Sequence, residues 1–164
     1  VDRYGYTRLA FADPLKEMAL SIDPYIHTGY GLFVRLARLV SDAGWEYAKD
    51  HYPEVRQVLQ RSGQTVRAMG ADYWIRALLA KASAIDTPIV VTDVRYPNEH
   101  TAMMSAGFDV VRVMRPGAGL DGSAGGHDSE TALDDFTATA GIMNAGTLDE
   151  LGGYVDDLVA LLRD

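Results

Sequence analysis

Cysteine is absent from all 164 residues, which excludes disulfides and thiolate metal sites. No apolar run approaches the roughly 18 to 20 residues of a membrane-spanning helix, and no charged-then-apolar signal segment stands at the start. Cations are scarce: 15 Lys and Arg face 23 Asp and Glu, for a formal net charge of −8. A nucleic-acid groove needs clustered Lys and Arg against the phosphates, so a polymer-binding role is disfavoured. A small phosphate ester needs only a few cations converging on one spot. The four His are scattered and give no pair at metal-ligand spacing. These absences point to a cytoplasmic protein with neither membrane nor nucleic-acid polymer as partner. With 48% hydrophobic residues, a single domain over 1–164 with one core is expected.

What is present alternates between short apolar runs and helical spacing, the pattern of an α/β protein. Tyr6 to Phe11 reads as a short strand, and Asp13-Pro14 as a helix start, with Asp as N-cap and Pro at the first helical position. From Leu32 to Ser83 the pattern is helical throughout. Leu32, Leu36, Leu39 and Val40 form a stripe, Gly44 suits a C-cap, Pro53 opens a second helix and Asp72 caps a third. The region 24–84 is therefore expected to be a helical insertion. Ile89-Val90-Val91 fits a buried parallel strand, Pro97 to Ala106 a short helix ended by Gly107, and Phe108 to Met114 another strand. Pro116 to Gly126 holds five Gly in eleven residues, too many for regular structure. Ile142-Met143 suits a last strand, and Thr147 to Glu150 forms a capping box opening a C-terminal helix.

Ligands of open parallel sheets sit at the carboxyl ends of the strands. Asp13 and Lys16 follow the first strand, Asp93 and Arg95 the second, and Arg115 the third. Two carboxylates and three cations suit a phosphate ester with Mg²⁺: carboxylates hold the metal or its waters, while Arg and Lys take phosphate oxygens. Each residue also has a purely structural reading. Asp13 serves as an N-cap, Lys16 as a solvated charge, and Arg95 with Asn98 as braces of the following turn. In the helical block, Gln60, Gln64 and Arg67 share one face with Arg61 beside it; they could read a base and hold a phosphate, or form an ordinary polar surface. Trp74 and Tyr73 could stack on a base or pack in the core. His127 to Glu130 could touch a ligand or cap a helix after the Gly-rich stretch.

Several stretches, in order and at fitting spacing, cover nearly the whole chain: Leu9 to Lys16, Leu59 to Arg67, Val91-Thr92-Asp93-Val94-Arg95-Tyr96-Pro97-Asn98-Glu99, Arg112 to Pro116, His127 to Glu130, and Asn144 to Leu148. Together they resemble the bacteriophage deoxynucleoside monophosphate kinases of the P-loop NTPase superfamily, with Asp-Val-Arg-Tyr-Pro-Asn-Glu the most specific piece. The resemblance implies a three-layer parallel sheet of nucleoside monophosphate kinase type, a helical substrate-binding region and a Gly-rich lid over 116–127. It implies transfer of the γ-phosphoryl of ATP, with Mg²⁺, to a deoxynucleoside 5′-monophosphate in the host cytoplasm, and leaves room for a homodimer. On it Asp13 lies near the acceptor phosphate and Lys16 neutralises it. Arg67 and Arg95 clamp the monophosphate, and Gln60, Arg61, Gln64 and Trp74 join Arg67 around the substrate. Asp93 acts on Mg²⁺ through water, and Arg115 approaches the transferred phosphoryl group. His127, Glu130, Asn144 and Gly146 fall to the ATP side.

The family's glycine-rich loop, Gly-x-x-x-x-Gly-Lys-[Ser/Thr], does not occur in these residues. The expectation is that this loop and the first strand lie upstream of Val1, and that the 164 residues alone are inactive. Two alternatives stand beside this reading. One is another small-metabolite kinase of the superfamily, of dephospho-coenzyme A or phosphomevalonate type. The other is a non-catalytic nucleotide-binding relic.

Overall fold

The structure, a computed structural model, describes residues 1, 3–116, 132, 133 and 135–162. They form a mixed α/β protein with short parallel strand pairs. The chain gathers into two compact units, Val1–Val94 and Arg95–Asp164. No helix among the described residues is long and apolar enough to cross a membrane.

The first unit begins with β1 (Thr7–Leu9) and α1 (Ala12–Ile22), then a hairpin of β2 (Tyr25–Gly29) and β3 (Leu32–Arg35). Three helices follow, α2 (Leu36–His51), α3 (Pro53–Met69) and α4 (Tyr73–Ala82), and β4 (Ile89–Val91) closes the unit. β1 and β4 are parallel, with Thr7 opposite Ile89 and Leu9 opposite Val91. The Thr92 N–H donates to the Leu9 carbonyl at 3.2 Å, so both strands finish at the same end. The β-branched run of β4 is thus a parallel strand, as its composition predicts, but its three residues are half-buried where full burial is expected.

The hairpin corrects the expectation of helix from Leu32 onward. Tyr25 pairs with Arg35, Ile26 with Val34 and His27 with Phe33 in antiparallel register around a Gly29-Tyr30-Gly31 turn. Alternation places Ile26 and Val34 on the core side, while Tyr25, His27, Phe33 and Arg35 share the other face. On that face the Arg35 guanidinium lies 4.2 Å from the Tyr25 ring centroid, and His27 meets Phe33 edge-on. The region 24–84 is consequently a hairpin followed by helices. Together with α1 it builds a core of Ala19, Ile26, Leu36, Leu39, Ala48 and Val55, with Leu20, Val34, Trp45 and Leu59 packed against it.

Gly44 does not simply end a helix. With φ 80° and ψ 162° it breaks α2, and helical turns resume from Trp45. That left-handed φ suits glycine because a Cβ would clash with the backbone there. Asp72 holds the N-cap position of α4, but its side chain makes no capping hydrogen bond.

The second unit carries α5 (Pro97–Ser105), β5 (Val111–Met114), β6 (Ala140–Met143) and α6 (Leu148–Leu161). β5 and β6 are parallel, Val111 opposite Ala140 and Met114 opposite Met143. Among its described residues Met103 and Ile142 are the buried apolar ones. Arg112 pins the chain before β6 by donating to the carbonyls of Leu133 and Phe136.

The capping box before α6 forms as predicted. The Thr147 Oγ1 accepts from the Glu150 N–H at 3.3 Å, while the Glu150 carboxylate accepts from the Thr147 N–H at 2.7 Å. The backbone and side-chain donors of Thr147 hold the Glu150 carboxyl below its ordinary value. A depressed folded value means stabilisation that is complete above the unfolded value and is lost as pH falls through the folded one. The first turn of α6 should therefore loosen on acidification below the usual carboxylate range, read as faster amide exchange at Leu148 to Leu151. Glu150→Ala should make exchange there fast at neutral pH and abolish that acid dependence; an unchanged acid response would show that another group governs it.

Candidate functional site

The carboxyl ends of β1 and β4 carry the polar residues that the sequence singles out. Asp93, two residues past β4, accepts the Phe11 N–H at 2.7 Å and the Ala12 N–H at 2.9 Å. Both belong to the start of α1, where backbone donors lack intrahelical acceptors. Asp93 is thus the carboxylate that caps α1, reaching it from the neighbouring strand. This corrects the expectation for Asp13. The helix opens at Ala12, two residues earlier than an Asp13 cap requires, and Asp13 lies in the first turn. Its carboxylate turns back to the Ala10 N–H at 3.0 Å and holds the Arg8 guanidinium at 3.2 Å. Both acids also meet the positive end of the helix dipole.

One turn further along α1, Lys16 is half-buried. Its ammonium lies 5.6 Å from the centroid of the Trp45 ring, within cation–π range. Together with Arg8, Asp13, Glu17 and Lys81 these residues line an open cleft of about 420 Å³. Two of its three cations are matched by acids: Arg8 by Asp13, and Lys81 by Glu17 at 2.7 Å. Lys16 forms no salt bridge with any described residue. The nearby Glu46 is taken by Lys49 at 2.8 Å. That hydrogen bond and charge, with a smaller contribution from Lys16, hold the Glu46 carboxyl below its ordinary value. The cleft therefore offers one positive charge that is not held in a salt bridge, on Lys16.

Helix α3 runs unbroken through Gln60, Arg61, Gln64 and Arg67, so the shared face expected for Gln60, Gln64 and Arg67 forms. Gln60, Arg61 and Gln64 are exposed and Arg67 is half-buried. The face flanks Gly63, within about a quarter turn on the helical wheel. A Cβ on Gly63 would lie 3.2 Å from Leu15 Cδ2, so the absence of a side chain lets α3 lie close to α1 beside Lys16. Trp74 is only 4% exposed and donates its indole N–H to the Gly63 carbonyl at 3.3 Å. Of its two readings the core one holds: it braces α3 against α4 and offers no ring to a base.

In the second unit Arg95 and Arg115 are both exposed. The Arg95 and Tyr96 N–H groups donate to Glu99 Oε2 at 2.9 and 3.2 Å, and Glu99 is 1% exposed. Asn144 follows β6, its N–H donating to the Met114 carbonyl at 2.7 Å, and Gly146 precedes the capping box of α6. His127, Glu130 and nearly all of the expected lid, 116–127, lie outside the described residues. Among the described residues no group of three or more His, Asp or Glu could hold a metal ion.

Sequence reasoning missed Trp45. The signal was Gly44, whose break restarts the helix with a large aromatic as its first residue. It also missed an open cleft of about 490 Å³ in the second unit, lined by His100, Met104, Asp135 and Phe136. There a ring nitrogen of His100 is bound to the Thr137 carbonyl at 2.9 Å, and the ring packs edge-on against Phe136.

No protein-family model matches the chain. It is 31% identical over 100 residues to uncharacterized protein ORF77 of Ictalurid herpesvirus 1 (strain Auburn), an overlap of 58% of this chain and 44% of that protein. Uncharacterized protein ORF76 of the same virus is 32% identical over 110 residues, covering 64% of this chain and 44% of its own length. The chain spans less than half the length of either viral protein, and its likeness is to a part of each.

Proposed function

We propose that these residues form the acceptor-binding part of an ATP-dependent deoxynucleoside monophosphate kinase, with the three-layer parallel sheet, helical substrate region and Gly-rich lid of that type. The observation that carries this reading is the cleft at the carboxyl end of β1 and β4. Its other cations are matched by acids, and Lys16 alone keeps its charge for an incoming anion. A phosphate monoester supplies such an anion.

In this reading Lys16 neutralises the acceptor phosphate, and Asp13 keeps Arg8 at the rim of the same cleft. Gln60, Gln64 and Arg67 stand on the helix face beside it, their amides suited to a base edge and their guanidinium to a phosphate. Arg95 and Arg115 are assigned to the phosphates through the resemblance. The reaction moves the terminal phosphoryl group of ATP onto an oxygen of the 5′-monophosphate. That oxygen supplies the electron pair, the bond from the γ-phosphorus to the bridging oxygen breaks, and ADP leaves. Such a transfer asks for positioning and charge neutralisation and needs no protein nucleophile.

The donor set does not cage Mg²⁺: each Asp93 oxygen already accepts a backbone N–H. A carboxylate has about four lone-pair sites, so Asp93 can still reach the waters of an ion that arrives on ATP. Mg²⁺ would screen the triphosphate charge.

The test is ATP-dependent phosphorylation by the full gene product, with the common deoxynucleoside monophosphates, dephospho-coenzyme A and phosphomevalonate as acceptors. Deoxynucleoside diphosphates should form. Turnover confined to either other acceptor would replace this reading with a different small-metabolite kinase, and no turnover of any acceptor would end the kinase reading.

A further inference from the structure

We infer that Trp45 is a positioning residue that fixes the Lys16 ammonium in the cleft without neutralising it, so that the charge remains for a phosphate monoester. The inference rests on the acceptor-cleft reading and deepens it. An ammonium on a flexible four-carbon stem needs something to hold it in one place, and proteins usually supply a carboxylate. The other two cations of this cleft are held that way, Arg8 by Asp13 and Lys81 by Glu17. A carboxylate fixes a cation and cancels its charge together. An aromatic ring face attracts the same ammonium through its quadrupole and leaves the full unit charge in place. Lys16 is the one cleft cation given this second kind of support.

In an unbroken helix Trp45 would fall about 180° from Leu36 and about 120° from Leu39, away from their stripe, but Gly44 breaks α2 at φ 80° and re-aims it. The half-buried indole packs against the core cluster that includes Ala19, Leu39 and Ala48, and it also lines the cleft. It is thereby a rigid platform, since its packed part fixes the ring that meets Lys16. The nearby acid that could compete for Lys16, Glu46, is engaged by Lys49.

Calorimetric titration of the full gene product with a deoxynucleoside monophosphate tests this. Loss of a cation–π contact of this kind should raise Kd about 3- to 30-fold in Trp45→Leu, whereas Trp45→Phe should stay within about 3-fold. In a Lys16→Met background Trp45→Leu should add no further loss, because the ring acts only through the lysine. If Trp45→Leu binds as wild type while Lys16→Met is weakened, the positioning role is overturned and the acceptor cleft stands. Further weakening of the Lys16→Met protein by Trp45→Leu would mean that the ring touches the ligand itself, which also overturns it. If Lys16→Met binds as tightly as wild type, the cleft reading falls.

Tryptophan emission provides a readout that needs no substitution at Trp45. Of the two tryptophans among these 164 residues, Trp74 is buried in the core and Trp45 lines the cleft, so Trp45 is the one expected to respond to added inorganic phosphate. The change should occur in the wild type and vanish in Lys16→Met. Its absence from the wild type, or its persistence in Lys16→Met, would overturn the proposal even if Trp45→Leu does not fold.

Discussion

Asp93→Ala should lower the stability of the chain by about 2 to 4 kcal/mol, well before any effect on chemistry is considered. Both carboxylate oxygens accept backbone N–H groups, from Phe11 and Ala12, at 2.7 and 2.9 Å. Hydrogen bonds to a charged partner contribute about 1.5 to 3 kcal/mol each, and loss of a helix cap alone costs about 0.5 to 2 kcal/mol. The two effects overlap, which keeps the expected total below their sum. The favourable meeting of a negative charge with the helix N-terminus is lost as well. For a protein of this size the corresponding fall in Tm is roughly 4 to 16 °C. Asp93→Asn should cost less, since one amide oxygen still accepts one N–H, while its NH₂ now faces the other donor. Chemical denaturation of the two variants checks the order. An alanine variant as stable as wild type would show that α1 finds other acceptors and that Asp93 is not its cap.

The same residue shows what the sequence could and could not disclose. Asp93 is conspicuous at the end of Ile-Val-Val-Thr, and its place at the carboxyl end of a parallel strand is legible. Its partners are not, because Phe11 and Ala12 lie 82 and 81 residues away and no local pattern links them. Asp13 drew the N-cap assignment because Asp-Pro is a local signal, and the tertiary cap overrode it. By contrast the Thr147–Glu150 box involves residues three apart, and it forms as written. Proline gave the start of α3 and of α5 for the same reason: its fixed φ acts within one residue.

The hairpin was hidden by a coincidence of spacing. Leu32, Leu36 and Leu39 repeat at helical intervals, yet only Leu36 and Leu39 are helical, while Leu32 stands exposed in β3. The alternation that betrays the strands, Ile26 and Val34 inward with His27 and Phe33 outward, spans only four or five residues per strand. Such short runs carry little periodic signal, and the Gly-Tyr-Gly turn between them was the better cue. The candidate site divides in the same way. Lys16 and the Gln60–Arg67 face follow from strand ends and helical spacing. Trp45 depends on a backbone break, and the pairing of the cleft's other cations on side chains as distant as Glu17 and Lys81.

Arg95→Ala should leave the fold intact and reduce kcat/KM for deoxynucleoside monophosphates by about 2 to 5 kcal/mol of transition-state stabilisation, roughly 30- to 5000-fold. The expectation for the chemistry comes from the proposed kinase reading, in which Arg95 clamps the acceptor phosphate. The expectation for the fold comes from the backbone. Glu99, buried to 1% exposure, accepts the N–H groups of Arg95 and Tyr96, and Pro97 then opens α5. These bonds use the main chain of residue 95, which alanine preserves. Glu99→Ala is the contrasting variant: it strips two part-buried donors of their acceptor and should lower stability and activity together. Arg95→Lys should restore little of the lost rate, because an ammonium cannot take two phosphate oxygens in the forked geometry of a guanidinium. Steady-state kinetics beside thermal melts separates the cases. If Arg95→Ala turns over every deoxynucleoside monophosphate at near wild-type kcat/KM, Arg95 does not hold the acceptor phosphate. A loss of rate that tracks a fall in Tm would assign it to bracing the turn before α5.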